Sequence, residues 1–355
     1  MAVINLAKKY AKGVEERFYH DSITEASFSK ELDMEFHGVK SVTVYDVGTA
    51  PINDYQRSGS NRYGSPEELD DHIQEFVMTQ DKSSTWTIDK GNQKEQFNIK
   101  QAAQTLKRQL RERYTPAIDK YRIQKWADGA GIVMGVNEPT KNSIVGLMLD
   151  ANTAMDDAAV PESGRMFYVP AKYFKALLLS DEFTKADALL LKSLGKGTVG
   201  ELFGVPVKKI PSSYLPDGVY FLEIFKGAAI SPVKLQEHKI HTDPPGISGD
   251  LVEMRLIYDA FVRGTKADGI LAAVDASKAV ATPTITFSAN VATIATTTGG
   301  ATIKYTTDGS DPRYSASANV YDSGAKPTVA AGATVKAAAM LSGSYQSGVA
   351  SADNV

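Results

Sequence analysis

The sequence predicts an α+β body over residues 1–275, followed by a small all-β sandwich over residues 280–355. Patterns of short strands and helices alternate between residues 130 and 265. An apolar stripe at helical spacing precedes them, from Ile99 to Tyr114. After about Val280 the composition changes to Thr, Ala, Ser and Gly, and short alternating runs separated by turn residues are typical of a sandwich.

Composition limits the classes of protein that fit. A chain of 355 residues with 43% hydrophobic residues exceeds what one core usually organises, so we expect two or three domains. A net charge of −3 gives no overall attraction to nucleic acid or anionic lipid. The lack of cysteine excludes disulfides and thiolate metal sites. Since no signal peptide or membrane span is recognisable, we expect a cytoplasmic protein that contacts no membrane.

The first part of the chain predicts two extended features. Residues 1–47 form an amphipathic arm and the first strands, with small or apolar side chains at helical spacing at Ile4, Ala7, Ala11, Val14 and Phe18. Residues 48–97 are polar and too long for an ordinary connection. We expect a hairpin between Asp54 and Phe97, with arms that reach on the order of 30 Å at about 3.3 Å per residue. A polar two-stranded arm is marginal alone, so it needs another surface to lie on.

The body, residues 98–275, begins with a strongly basic helix. Between Lys100 and Lys125 there are eight basic residues against Glu112 and Asp119, a local charge of +6. This charge indicates either an ordinary solvated helix face or a surface beside a polyanion. Pro116 is expected to kink or restart the helix, because proline lacks the N–H group and clashes with the preceding turn.

Three segments resemble chemical motifs, but none is convincing. "LGKGTVG" lacks the spacing of a phosphate-binding loop, and "GAGIVMG", Gly129 to Gly135, is interpreted as a loop. His238, His241 and Asp243 could bind a metal ion, although an exposed strand end is favoured. There is no nucleophile elbow and no cysteine nucleophile. We therefore expect no catalytic residues, no cofactor and no metal site, and a protein that is not an enzyme.

The order of these parts resembles the major capsid proteins of tailed bacteriophages, the Hong Kong 97-type fold. "SSTWTIDKGNQKEQFNI" is similar to the extended loop of that fold, and "QAAQTLKRQLRERYTPAIDKYRI" to its spine helix. "VPESGRMFYVPAKYFKALLLSDEF" and "GTVGELFGVPVKKIP" are similar to the axial domain, and "GDLVEMRLIYDAFVRGTKADGI" to the strand that returns to the peripheral domain.

The resemblance implies a subunit that self-assembles, as pentamers and hexamers, into an icosahedral shell enclosing double-stranded DNA. It implies a virion capsid assembled in the bacterial cytoplasm with a portal and a separate scaffolding protein. Lys107, Arg108 and Arg111 are then expected to face the DNA without sequence specificity. The extended loop, residues 48–97, is expected to contact a neighbouring subunit through Lys82, Trp86, Lys90 and Lys94.

The C-terminal segment resembles a second family. "YTTDGSDP" is similar to a run in the immunoglobulin-like module at the C-termini of chitobiase and hexosaminidase-type enzymes. We interpret Asp308 to Pro312 as a hairpin turn, with Asp308, Gly309 and Asp311 exposed at the edge of the module. Calcium binding is the alternative, since Asp308 and Asp311 both offer carboxylates. The module would be a separable decoration on the outer surface, either ornamental or a weak glycan binder.

Two other functions fit the sequence. An encapsulin-type nanocompartment shell shares the fold, but the charge of +6 on the helix favours a shell that contains DNA. A carbohydrate-binding or adhesive surface protein is suggested by the C-terminal module, although the lack of a recognisable signal peptide argues against it.

Overall fold

A computed structural model describes residues 22–28, 34–37, 41–47, 52, 54–58, 61–64, 71–91, 102–180, 198–315 and 317–354. The chain forms two compact units. The main unit comprises Met1–Ser29, Lys90–Ser231 and Ala260–Val355, and the second unit comprises Lys30–Asp89 and Pro232–Asp259. No helix within the described ranges is long and apolar enough to cross a membrane.

The helices and strands are numbered along the chain. The helices are α1 (Ala102–Gln109), α2 (Thr115–Asp128), α3 (Ile144–Asp157) and α4 (Ala171–Leu178). The strands before residue 200 begin with β1 (Met34–His37), β2 (Ser41–Val47), β3 (Asp71–Val77), β4 (Gln80–Asp89), β5 (Ile132–Val136), β6 (Arg165–Pro170) and β7 (Thr198–Leu202). They are followed by β8 (Val205–Ile210), β9 (Val219–Phe225), β10 (Ala229–Ile230), β11 (Val233–Thr242), β12 (Gly249–Tyr258), β13 (Phe261–Val262) and β14 (Ile270–Asp275). The C-terminal strands are β15 (Thr284–Ser288), β16 (Val291–Ala295), β17 (Thr302–Thr306), β18 (Asn319–Val320), β19 (Thr334–Met340) and β20 (Ala350–Asp353).

A mixed six-stranded sheet in the order β5-β14-β9-β6-β8-β7 forms the centre of the main unit. Its central strand β9, "VYFLEIF", is buried almost throughout, as expected for a strand covered on both faces. Leu222 and Ile224 point to a core shared with Trp126 of α2. Phe221 points to the opposite core, which is shared with Met148 of α3. Successive side chains of a strand alternate between faces, so the one sheet supports two cores.

The basic helix continues from α1 into α2 through a single wider turn. Leu110–Tyr114 form a π turn, and the backbone at Thr115 remains helical, with φ −54° and ψ −51°. Pro116 lies in the first turn of α2. Because proline donates no hydrogen bond and crowds the carbonyl four residues earlier, a wider turn ahead of it relieves the conflict. The expected disturbance at Pro116 is therefore a π turn in an otherwise continuous helix.

The strand pairing of the second unit differs from the predicted hairpin. β3 pairs antiparallel with β2, whereas β4 pairs antiparallel with β12 along all ten of its residues. The chain passes from one sheet to the other at Met78, which is buried against Val42 and Ile257. The next residue, Thr79, donates its backbone N–H to Asp259 Oδ2 at 2.6 Å. The prediction of one hairpin from Asp54 to Phe97 is wrong, because β3 and β4, on either side of the buried Met78, belong to different sheets.

The segment Gly129–Gly135 was predicted to be a loop, and this prediction is also wrong. Ile132–Val136 form β5, which pairs in parallel with β14 at one edge of the six-stranded sheet. Gly131 precedes the strand, and a Cβ atom there would lie 2.3 Å from the carbonyl carbon of Ala267. The glycine thus permits a close backbone approach, which the sequence alone did not distinguish from loop flexibility.

The C-terminal segment is all-β, as predicted. β15 and β16 form one sheet, and β18-β17-β19-β20 form a second. Their core contains Ala292, Ile294, Val329, Val335 and Ala337. We call residues 280–355 the C-terminal module. The mixed body and this all-β region together confirm the predicted fold class.

Candidate assembly and interaction surfaces

The three residues predicted to face DNA lie on α1 and the π turn. Lys107 and Arg111 are exposed and lie four residues apart, so they share one side of the helix. Arg108 is half-buried, and its Nε atom lies 2.7 Å from Glu112 Oε1. This ion pair within the chain offsets part of the charge of Arg108. Lys107 and Arg111 are more exposed than Arg108, so they are the stronger candidates for contact with an external anion.

Two other charges of the helix belong to the interior. Asp119 and Arg122 are 2% and 5% exposed, and their nearest charged atoms are 3.8 Å apart. Asp119 accepts hydrogen bonds from Ser22 Oγ at 2.8 Å, from the backbone N–H of Ile23 at 2.9 Å and from Thr24 Oγ1 at 2.5 Å. This carboxylate therefore fixes the segment that enters from the N-terminus onto α2.

Arg122 completes the same buried network. Its Nε donates to Ser231 Oγ at 2.7 Å, and its Nη1 donates to Thr24 Oγ1 at 3.0 Å. The guanidinium lies 4.5 Å from the centre of the Phe28 ring. Burial lowers the pKa of Arg122, and the nearby Asp119 opposes this shift. The sequence placed Asp119 and Arg122 in a surface charge pattern, but the structure gives them an internal structural role.

The residues predicted to contact a neighbouring subunit do not lie on one hairpin. Lys82 and Trp86 are on β4, which is an edge strand of the β11-β12-β4 sheet. Lys82 is exposed, and Trp86 is half-buried opposite Val252. Lys90 is exposed just after β4, and Lys94 lies outside the described residues.

Three exposed apolar residues lie between β2 and β3 in the sequence, and sequence reasoning missed them. Ile52, Tyr55 and Tyr63 are exposed, with Ile52 fully so. The two tyrosine rings meet edge to face, with their centres 5.0 Å apart. The backbone N–H of Gln56 donates to the carbonyl of Arg62 at 2.9 Å, which brings the two tyrosine-bearing segments together. We call Ile52, Tyr55 and Tyr63 the exposed apolar residues of this segment. The available signal was three large apolar residues in an otherwise polar stretch.

The "DGSDP" segment forms a turn closed by side chains. Asp308 Oδ1 accepts the backbone N–H of Ser310 at 3.0 Å, and Oδ2 accepts Ser317 Oγ at 2.6 Å. Hydrogen bonds from Ser310 and Ser317 lower the pKa of Asp308 to about 2. Gly309 has a φ of +79°, which a glycine adopts without strain. Asp308 is exposed, whereas Gly309 and Asp311 are half-buried.

The carboxylates considered for metal binding are occupied by protein donors. Asp311 binds the Arg313 guanidinium, with Oδ2 2.7 Å from Nη2. His238 and His241 lie three residues apart on β11, so their side chains project from opposite faces. His241 Nε2 instead lies 3.2 Å from Glu253 Oε2. Among the residues that the structure describes, no group of three or more potential metal ligands occurs.

An open cleft of about 490 Å³ is lined by Glu138, Tyr173, Tyr220 and Asp275. Tyr220 donates to Asp275 Oδ2 at 2.9 Å, and Tyr173 donates to Glu138 Oε1 at 3.1 Å. Hydrogen bonds from Lys172 and Tyr173 lower the pKa of Glu138, and bonds from Ser277 lower that of Asp275. Both carboxylates are thus held ionised, which does not suit a proton donor at neutral pH.

Three side chains of the C-terminal module bind successive carbonyls after the end of α2. Tyr314 Oη donates to the carbonyl of Gly129 at 2.7 Å, and Gln346 Nε2 donates to that of Ala130 at 3.0 Å. Arg313 Nη1 donates to the carbonyl of Gly131. The segment that begins as an exposed turn at Asp308 therefore ends as a contact with the body.

Comparison with solved structures identifies the fold of the body. A chain from Mycobacterium phage Che8 superposes with a TM-score of 0.55 at 18% identity, covering 77% of this chain and 98% of the other. The capsid of cyanophage P-SCSP1u gives 0.60 at 13% identity, covering 76% and 92%. The mature capsid of bacteriophage PhiM1 gives 0.53 at 12% identity, covering 76% and 91%. This chain has the phage capsid fold.

Sequence comparison adds information on the C-terminal module. Residues 292–353 match the family described as "Fn3 associated", which agrees with the predicted immunoglobulin-like character of the module. No curated protein sequence matches the chain. The structural match to phage capsids and the family match of the module thus agree with the two resemblances seen in the sequence.

Proposed function

We propose that this chain is a phage major capsid protein that assembles as pentamers and hexamers into an icosahedral shell around double-stranded DNA. The observation that carries the proposal is the capsid fold, since the matched chains are covered over more than nine tenths of their length. In this function the chain is a structural subunit without catalytic activity. A portal and a separate scaffolding protein would be its assembly partners in the bacterial cytoplasm.

Electron microscopy of the expressed protein tests this function. We expect closed shells of uniform diameter when the chain is produced with the phage assembly proteins. Shells that never contain nucleic acid in the infected cell would favour an encapsulin-type compartment. A protein that stays monomeric and binds glycans would favour the surface-protein alternative. Either result would overturn the proposal.

The exposed apolar residues Ile52, Tyr55 and Tyr63 are proposed to contact a neighbouring subunit. A deletion of Lys82–Lys94 would not test this contact alone, because it would also remove most of β4, which pairs with β12. The variant Ile52→Ser, Tyr55→Ser, Tyr63→Ser instead changes exposed side chains only. We expect it to lower the yield of shells at least tenfold, since apolar surface would no longer be buried between subunits. Val320→Ser, an equally exposed apolar change in the module, is the control. Normal assembly of the triple variant, measured by sedimentation, would contradict the contact.

The exposed cations Lys107 of α1 and Arg111 of the π turn are proposed to lie beside packaged DNA. The variant Lys107→Glu, Arg111→Glu should reduce the DNA content of purified shells severalfold at an unchanged shell yield. The physical reason is the loss of phosphate neutralisation and counterion release. Lys304→Glu, Lys326→Glu makes the same change of charge on the C-terminal module and should package normally. Equal DNA content in the two double variants, measured from the ratio of nucleic acid to protein, would contradict an interior position.

The C-terminal module is proposed to be displayed on the outer surface of the shell. In many copies, even weak binding to a glycan would hold a particle through multivalency. However, among the described residues of the module every aromatic side chain is buried or half-buried, including Phe287, Tyr305 and Tyr321. A ring available for stacking on a sugar is therefore lacking there, which favours a structural role over glycan binding.

A further inference from the structure

The contact between the module and the body is built on a buried arginine. The side chain of Arg313 is 1% exposed. Its Nη2 lies 2.7 Å from Asp311 Oδ2 in the module and 3.2 Å from Asp268 Oδ1 in the body. A buried charge is costly unless ion pairs and hydrogen bonds replace its water. Part of that replacement comes from Asp268 and the Gly131 carbonyl, so the body supplies part of what stabilises the buried charge in the docked state.

The carbonyl groups that accept these hydrogen bonds lie at the C-terminal end of a helix. The last carbonyls of a helix and the residues just after it carry unsatisfied acceptors and partial negative charge. After α2 ends at Asp128, three successive carbonyls receive side chains from the module, as described above. A helix C-terminus favours cations and hydrogen-bond donors. Arg313 supplies the cation, and Tyr314 and Gln346 supply two neutral donors. The module thus supplies side-chain donors to three successive carbonyls at the end of α2.

Apolar packing extends the same contact. Tyr345 is 8% exposed and belongs to the core cluster that contains Trp126, Ala130 and Ala267 of the body. Its backbone N–H donates to the carbonyl of Lys278 at 2.8 Å, and its carbonyl accepts the N–H of Val280 at 3.1 Å. Its hydroxyl donates to the carbonyl of Asp217 at 3.2 Å. A side chain of the module therefore completes a core of the body.

We propose that the C-terminal module is a built-in clamp of the body, which holds the end of α2 and the turn Gly264–Gly269 in place. This role differs from that of a separable ornament, and it goes beyond the capsid function. The carbonyls of Gly129, Ala130 and Gly131 bind side chains of the module of the same chain. The expectation that the module is a separable decoration is accordingly replaced by one in which the body depends on it.

Hydrogen exchange of the full-length subunit tests the clamp. We expect Arg313→Met to speed exchange at least tenfold in residues 123–131 and 264–270, while β16 and β19 in the module keep their protection. Lys326→Met, an exposed cation of the module, is the matched control and should leave both regions unchanged. Loss of protection only inside the module, or no change in the body, would overturn the proposal.

A second variant decides the matter if Arg313→Met fails to fold. Tyr314→Phe with Gln346→Ala removes two of the three donors and introduces no unpaired charge. We expect at least a threefold faster exchange at residues 123–131 in this variant, again without change in β19. Unchanged exchange at the end of α2 would show that the module does not stabilise it. Because the readout is internal to the chain, it does not depend on whether the protein forms shells.

Discussion

Replacing Asp119 by alanine is expected to lower the free energy of unfolding by about 3 to 5 kcal/mol, the range for removing one partner of a buried ion pair. The change removes the acceptor for Ser22, Ile23 and Thr24 and leaves the buried Arg122 guanidinium with the exposed Glu25 carboxylate, 3.4 Å away, as its ion-pair partner. The unfolding of unassembled subunits in urea, followed by circular dichroism, measures the loss.

Asp81→Ala is the control for this experiment. Asp81 lies 2.7 Å from Arg255, but both side chains of that pair are exposed. Exposed ion pairs contribute about 1 kcal/mol or less, because water already solvates both charges. We therefore expect Asp81→Ala to be several times milder than Asp119→Ala. Equal effects of the two substitutions would show that the Asp119 network is not a major stabilising feature.

Replacing Glu223 by glutamine is expected to remove a decline in stability toward alkaline pH. Glu223 is fully buried in β9, and both of its carboxyl oxygens lack a hydrogen-bond partner among the described residues. Burial raises the pKa of Glu223 to about 8, which the nearby Arg165 opposes and Asp156 reinforces. Arg165 does not satisfy the carboxyl, because its Nη1 lies 4.0 Å from Glu223 Oε1 while its Nη2 lies 2.7 Å from Asp156.

The direction of the pH effect follows from the raised pKa. Between the ordinary value of 4.5 and about 8, the folded state keeps a proton on Glu223 that the unfolded state has lost. The contribution to stability is therefore fully present below pH 4.5 and falls as the pH rises to about 8, by at most about 1.4 kcal/mol per pH unit. Glutamine carries no charge at any pH, so Glu223→Gln should be the more stable protein above neutral pH, by roughly 4 kcal/mol near pH 8.

Thermal unfolding of unassembled subunits between pH 5 and 9 measures this difference. Glu162→Gln, at an exposed position, serves as the matched control and should follow the parent protein. Parallel stability profiles for the parent and Glu223→Gln would mean that Glu223 does not hold a proton in the folded state.

Features that depend on local patterns could be predicted from the sequence alone. The apolar stripe ending at Tyr114 predicted the helix, and the change in composition near Val280 predicted a separate β-rich segment. Asp308 and Gly309 predicted a turn, because an Asx side chain and a glycine satisfy turn geometry within a few residues. These features need no distant partner, so periodicity and composition were sufficient.

Tertiary structure decided the features that depend on residues far apart in the chain. β4 pairs with β12 and not with β3, a choice fixed by more than 150 intervening residues that no local pattern encodes. Asp119 and Arg122 are charged residues of a kind usual on a solvated helix face. They are nevertheless buried, because Thr24 hydrogen-bonds to Asp119 and Ser231 hydrogen-bonds to Arg122. Arg313 was one charge among several in the C-terminal segment, and only docking against Gly131 and Asp268 makes it the centre of a contact. The physical reason is the same in each case: whether a polar group is solvated or buried depends on which distant groups replace its water, and that is a property of the folded chain.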